Sequence, residues 1–133
     1  MKLKQIYNLQ KDLRQIKIIQ EASFDQTSKF GYQTTNGLLF GTKEWFNAIK
    51  RDIITKHTIQ GIITRVYMSG HNDFPEFEMQ NENGKTTWMR YGVDEAYKVG
   101  KQIEIIYVEQ YYKNPINIIK PISQCVIDVK IEI

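Results

Sequence analysis

The end of the chain most tightly limits what it can fold into. Cys125, Ile127, Val129, Ile131 and Ile133 are apolar and alternate with Val126, Asp128, Lys130 and Glu132. A period of two is the mark of a strand with one buried face, so the pattern predicts that the chain ends tied into a sheet. The same alternation recurs upstream. In Glu76–Gln80, Phe77 and Met79 are expected inward and Glu76 and Glu78 outward. Ile103, Ile105 and Tyr107 share one face of a strand over Gln102–Val108. His57–Met68 is rich in Ile, Val, Thr and Tyr, with Gly61 as the expected bulge or bend. Asn81-Glu82-Asn83-Gly84 reads as a hairpin turn leading into a return strand over Lys85–Tyr91. Pro115 and Pro121 bracket a short strand, Ile116–Lys120, expected at an edge because proline cannot donate to the ladder. Five or six short strands between tight turns imply a small antiparallel barrel or sandwich. Closure into a barrel would remove exposed edges.

The first 56 residues follow a different rhythm. Leu3, Ile6, Leu9, Leu13, Ile16 and Ile19 recur at steps of three and four, which predicts an amphipathic helix over residues 2–22. A strand around Gln15–Gln20 competes, because Ile16, Ile18 and Ile19 are β-branched. Ala22–Ser28 is a polar connection, and Phe30–Phe40 reads as a hairpin turning at Asn36-Gly37. Gly41-Thr42 offers an N-cap to a second helix over about 43–53, with Glu44 in its first turn and Trp45, Phe46, Ile49 and Ile53 at helical spacing. The expected fold is α+β, with N-terminal helices packed on a five- to six-stranded barrel or sandwich. A chain of 133 residues is expected to form one domain, helical up to residue 56 and β-rich from residue 57.

Charge and cysteine usage narrow the function. Net charge is +3, with ten Lys/Arg against five Asp/Glu in residues 1–60 and eight against ten in residues 61–133. The basic excess therefore lies away from the β-rich part, where a nucleic-acid-binding barrel would carry it. A single cysteine, Cys125, excludes an internal disulfide and favours a reducing, cytoplasmic home. The basic N-terminus lacks the apolar stretch of a secretory signal, and no run approaches the ~18 apolar residues of a membrane span.

No catalytic set is assembled. Cys125 lies on an apolar strand face and reads as a core residue. Ser69 and His71 are neighbours in a loop and do not make a triad, and neither a Gly-x-Ser-x-Gly elbow nor a phosphate-binding loop is present. His71, Asp73, Glu76 and Glu78 are close in sequence, but an acidic, solvated loop and strand account for them better than a metal site. His57 reads as a surface or hydrogen-bonded histidine, and Asp94-Glu95 as loop carboxylates. No catalytic residue, metal or cofactor is expected. Tyr67, Phe77, Trp88, Tyr91 and Tyr107, with Arg65, Arg90 and Lys98 nearby, have the vocabulary of a single-strand nucleic-acid platform. Glu76, Glu78, Glu82, Asp94, Glu95 and Glu104 among them would repel phosphate, and barrel-core aromatics explain the pattern better. Phe74 on a loop, and Tyr111-Tyr112 at a strand end, are the aromatic anchors typical of protein interfaces. The candidate partner-binding set is His71, Asp73, Phe74, Glu76, Glu78, Trp88, Arg90, Tyr111 and Tyr112.

Several runs carry a resemblance. Gly61-Ile62-Ile63-Thr64-Arg65-Val66-Tyr67, Pro75-Glu76-Phe77-Glu78-Met79, Asn83-Gly84-Lys85 and Tyr97-Lys98-Val99-Gly100 leading into Ile103–Tyr107 follow one another in that order. The stretch of about 58–120 resembles a bacterial family of small β-barrel domains of unknown function, often membrane-tethered elsewhere. That resemblance implies a fold and transfers no catalytic residue. The lysine- and isoleucine-rich chain also resembles bacterial toxin-immunity proteins. This implies a non-enzymatic, cytoplasmic protein-binding domain that neutralises a cognate toxin by steric blocking. The alternative expectation is a single-stranded nucleic-acid-binding barrel, with no membrane role in either case.

Overall fold

The computed structural model describes residues 2–25, 31–112 and 122–133. The expected edge strand at Ile116–Lys120, its flanking prolines and the first residue of the Phe30–Phe40 hairpin lie outside these. Six strands, β1 (Leu3–Asn8), β2 (Lys56–Ser69), β3 (Phe74–Asn81), β4 (Gly84–Met89), β5 (Gln102–Tyr111) and β6 (Ile122–Glu132), form one antiparallel sheet in the order β1-β6-β5-β2-β3-β4. Two α-helices accompany them, α1 (Leu13–Phe24) and α2 (Lys43–Lys50). The α+β class is as expected, but the sheet is open rather than closed into a barrel. Its end strands β1 and β4 share no ladder among the described residues.

The chain forms two compact units that interleave in sequence. The first comprises Met1–Asn8, Thr58–Ile106 and Asp128–Ile133. Its core holds Tyr7, Ile63, Phe77, Met79, Trp88, Tyr97, Ile103, Ile105, Val129 and Ile131. Burying an aliphatic or aromatic side chain of this size stabilises a fold by roughly 1.5–3 kcal/mol. In β3, Phe77 pairs with Val66 of β2 and Trp88 of β4, and Met79 pairs with Ile63 and Thr86, so the expected inward residues are the buried ones. The irregularity in β2 falls between Ile63 and Arg65, leaving Thr64 as the extra residue, and not at Gly61. Gly61 serves a different end. A Cβ there would lie 2.6 Å from the Gln80 carbonyl oxygen, so the glycine lets β3 pass close by.

Leu3–Asn8 is a strand where a helix was expected. It pairs with β6, and the register shifts between Gln5 and Tyr7, so Ile6 is the extra residue. The chain leaving β4 comes back against this bulge. A Cβ on Gly92 would sit 2.1 Å from the Ile6 carbonyl oxygen, and the Tyr7 and Tyr91 rings lie 5.0 Å apart. The loop after β4 thus packs on β1 at its bulge, a contact of side chains and backbone without ladder bonds. Tyr97 fastens the same loop: its hydroxyl accepts from the Tyr91 N–H (3.0 Å) and donates to the Tyr91 carbonyl (2.7 Å).

The second unit comprises Leu9–His57 and Tyr107–Ile127. Asp12 caps α1 by accepting from the Gln15 N–H, and Thr42 caps α2 by accepting from the Trp45 N–H, the latter as the sequence implies. Asn36 and Gly37 both have positive φ, the requirement of the expected tight turn. The hairpin around it is minimal: Thr35 pairs with Leu38, while Tyr32 pairs with Tyr112. Rings of Tyr112, Tyr32, Phe40, Trp45 and Phe46 follow one another at centroid distances of 5.6, 5.4, 4.7 and 4.9 Å. Leu9, Ile16, Ala48, Ile49, Ile54, Val108, Cys125 and Val126 complete the buried apolar set. Ile53, expected on the buried side of the second helix, lies beyond its end and is exposed, and Ile54 is buried instead.

Buried parity changes along β5. Ile103 and Ile105 serve the first unit; Val108 and Gln110 serve the second. Tyr107, expected beside Ile103 and Ile105, stacks instead on His57 at 5.1 Å within the second unit. The reason is that one strand supplies successive stretches to two cores.

Candidate partner-binding surface

In the first unit, β2 and β3 are joined by a turn in which Gly70 and Asn72 both adopt positive φ. The Asp73 N–H donates to the Ser69 carbonyl at 3.2 Å and closes it. The Phe74 ring lies over Gly70, where a Cβ would come within 3.1 Å of it. The turn therefore holds Phe74 in one place while leaving it 52% exposed. Met68, in the adjacent register pair and therefore on the opposite face of the hairpin, is also exposed. His71 and Asp73 complete the exposed tip.

Arg90 supports this tip from behind. Its backbone N–H donates to the Pro75 carbonyl (3.0 Å), and its Nη2 donates to the Tyr67 carbonyl (3.2 Å) and approaches Met68 Sδ (3.3 Å). Nη1 pairs with Asp94 at 3.0 Å. The guanidinium is almost fully covered, so its contribution is to position the tip.

Glu76 and Glu78 lie on the outer face of β3, as alternation implies. Glu76 accepts from the Tyr67 hydroxyl at 2.9 Å, and the Arg65 guanidinium stacks 4.3 Å over the same ring. Glu78 accepts from the Thr64 hydroxyl at 2.9 Å and pairs with Lys85 at 3.7 Å. Exposed pairs of this kind add little stability. Their effect is to hold charged side chains in defined positions, which lowers the entropy lost when a partner binds. Desolvation, followed by the hydrogen bond to Glu76, raises the pKa of the Tyr67 hydroxyl above its ordinary value.

Trp88 occupies the opposite face. It is 9% exposed, pairs with Phe77, and donates from Nε1 to the Thr86 hydroxyl at 2.9 Å. In the second unit, Tyr111 is exposed, and its carbonyl accepts from the Gln33 N–H at 2.8 Å. Tyr112 is half-buried against Tyr32. The structure thus brings His71, Asp73 and Phe74 together at one tip, with Glu76 and Glu78 on the adjoining outer face. Trp88 faces the core and Arg90 lies beneath the tip. Sequence reasoning passed over Met68, whose strand alternation suggests burial but which sits where the strand outruns the core. It also could not see the Tyr67–Glu76 contact, which depends on register.

The chemistry of the remaining candidates is limited. Burial pushes the Cys125 thiol up to about 12, so it carries almost no thiolate near neutrality. Ser69 Oγ bonds the Phe74 carbonyl at 3.5 Å, and His57 Nε2 faces Glu109 at 3.4 Å. Among the described residues no three His, Cys, Asp or Glu side chains group to hold a metal, and no helix is long and apolar enough to cross a membrane.

Comparison with known families matches residues 3–132 to immunity protein RhsI2. The chain belongs to the RhsI2 immunity protein family. It is accordingly a toxin-neutralising immunity protein. The RhsI2 match spans both units and extends well beyond the stretch of about 58–120 that resembles small barrel domains. No curated protein matches the chain.

Proposed function

We propose that this RhsI2-family protein neutralises its cognate toxin by binding it and covering its working surface, in the cytoplasm and without chemistry of its own. The observation that carries this reading is the β2–β3 tip, where Phe74 and Met68 are exposed on a turn held by Gly70, Asn72 and Arg90. An exposed aromatic side chain held on a braced turn is a typical interface anchor, and Met68 offers an adaptable apolar side chain on the opposite face of the same hairpin. Glu76 and Glu78, fixed by Tyr67, Thr64 and Lys85, give the surrounding rim its polarity.

The test is titration of the purified toxin encoded beside this chain's gene with wild-type protein and with the Phe74→Ala/Met68→Ala variant. A one-to-one complex is expected, with the variant binding at least tenfold more weakly at unchanged thermal stability. Equal affinity of a folded variant would remove the tip from the interface.

A further inference from the structure

Strand β4, in the first unit, ends the sheet. It pairs with β3 on one side and with no strand on the other among the described residues. One bond fixes which of its backbone groups face outward. The Arg90 N–H donates to the Pro75 carbonyl at 3.0 Å, so Arg90 and the alternate residues before it, Trp88, Thr86 and Gly84, bond toward β3. Lys85, Thr87 and Met89 therefore turn their N–H and C=O groups to the free edge. No backbone hydrogen bond reaches those groups among the described residues. The stretch from Gly84 to Thr87 is exposed throughout.

Sheet edges are usually guarded by a bulge, a proline, a charge or a covering segment. The other end strand, β1, has two of these, the bulge at Ile6 and the loop at Gly92 packed on it. Strand β4 has neither. Its register with β3 is unbroken from the Glu76–Met89 pair to the Asn81–Gly84 pair, and it contains no proline. Its single charge, Lys85, leans back over its own sheet to Glu78 at 3.7 Å. The lysine therefore does not shield the edge, and its charge is offset when a second copy approaches.

A row of unpaired N–H and C=O groups is completed by another extended strand, and β4 is complementary to itself. Antiparallel pairing of two copies about a two-fold axis at Thr87 sets Lys85 against the second copy's Met89 and Thr87 against its own counterpart. All three outward residues then exchange both bonds, three pairs of two, which makes six across the seam. Moving the axis to Thr86 or Trp88 leaves only two such pairs within the strand. With the axis at Thr87 no like charges meet, and the central threonine pair is a favourable cross-strand contact. We propose that this protein self-associates through β4, two copies joining edge to edge into one continuous sheet. The self-contact is independent of the toxin contact and uses other residues than the tip.

The experiment is sedimentation equilibrium of the full chain without toxin, for wild type and Thr87→Pro, with a thermal melt of each. Wild type is expected to dimerise as concentration rises. Proline at position 87 removes an outward N–H and no bond to β3, so the variant is expected to melt as wild type and to dimerise at least tenfold more weakly. Thr87→Cys and Lys85→Cys are oxidised in parallel, with the native Cys125 buried and out of reach. The two-fold axis brings the position-87 Cα atoms to about 5.5 Å, within disulfide range, whereas the two position-85 residues stand four residues apart, roughly 14 Å. Rapid cross-linking of Thr87→Cys alone is therefore expected. A wild type that stays monomeric overturns the proposal, and so does a folded Thr87→Pro that dimerises as wild type. If Thr87→Pro fails to fold, the cysteine variants decide, and equal cross-linking of the two overturns the pairing. A monomeric wild type whose Thr87→Pro variant loses toxin affinity assigns the edge to a toxin strand and overturns the self-contact. Because dimerisation is read without toxin, failure of the immunity reading would leave this result untouched.

Discussion

At the scale of single residues, backbone conformation and burial matter more than charge. Gly92 and Gly37 have nearly the same φ, +78° and +75°, but a Cβ at Gly92 would strike the Ile6 carbonyl while one at Gly37 meets nothing within 4 Å. Gly37→Ala should therefore cost about 1 kcal/mol, for conformational strain alone. Gly92→Ala should cost about 3 kcal/mol or more, because β1 must also move. Urea titration of the two variants gives the comparison. Tyr97→Phe removes the hydroxyl that satisfies both the N–H and the carbonyl of Tyr91, and a loss of about 1–3 kcal/mol is expected by the same method. Cys125 sets a pH dependence. Its thiol is raised by burial from 9.0 to about 12, so the folded chain retains a proton that the unfolded chain has released. The unfolded state then binds fewer protons, and stability falls as pH rises. Its contribution is complete below pH 9 and is lost between pH 9 and about 12. Raised further and in the same direction, Tyr97 adds to alkaline sensitivity only above pH 10. Melts of Cys125→Ala against wild type across that window should show a shallower alkaline decline in the variant.

Elements show where local sequence is sufficient and where it fails. The α2 cap was legible because Thr42 and the helix it caps are adjacent in sequence, and Thr42→Ala should lower stability by about 1 kcal/mol in chemical denaturation. The Asn36-Gly37 turn was legible for the same reason: positive φ at two successive positions selects those residue types. Leu3–Asn8 was not. Leu3, Ile6, Leu9 and Leu13 keep helical spacing across a strand, a bulge and a 3-10 turn that share no single face. What makes Leu3–Asn8 a strand is the waiting edge of β6, more than 120 residues away, which supplies its hydrogen bonds. A non-local partner leaves no mark in a local window. Leu13, counted in the same series, is the first residue of α1 and is exposed, while Ile16 is the buried one. Trp88, a candidate contact, lies on the buried face for a related reason: its side is decided by pairing with Phe77.

For the molecule as a whole, strand alternation disclosed the number and composition of the strands, but closure depended on which strands end beside each other. An edge strand at each end of the order leaves an open sheet, in which the chain at Gly92 returns onto β1 at the Ile6 bulge without a ladder. Of the candidate site, the exposed Phe74, His71 and Asp73 were legible because turn chemistry puts them on a loop, whereas the buttress from Arg90 and the register of Glu76 against Tyr67 required the folded chain. Among the described residues the β2–β3 tip carries exposed apolar side chains with ordered polar neighbours, which is what the proposed toxin contact uses.

The most direct test of neutralisation by occlusion is recovery of the toxin. Toxin is saturated with this protein, its activity is recorded, the complex is separated in denaturant, and the refolded toxin is weighed by mass spectrometry and assayed again. The expected result is a silent one-to-one complex that releases toxin of unaltered mass and full activity. Toxin recovered cleaved, modified or permanently inactive would contradict the account and make this protein an enzyme.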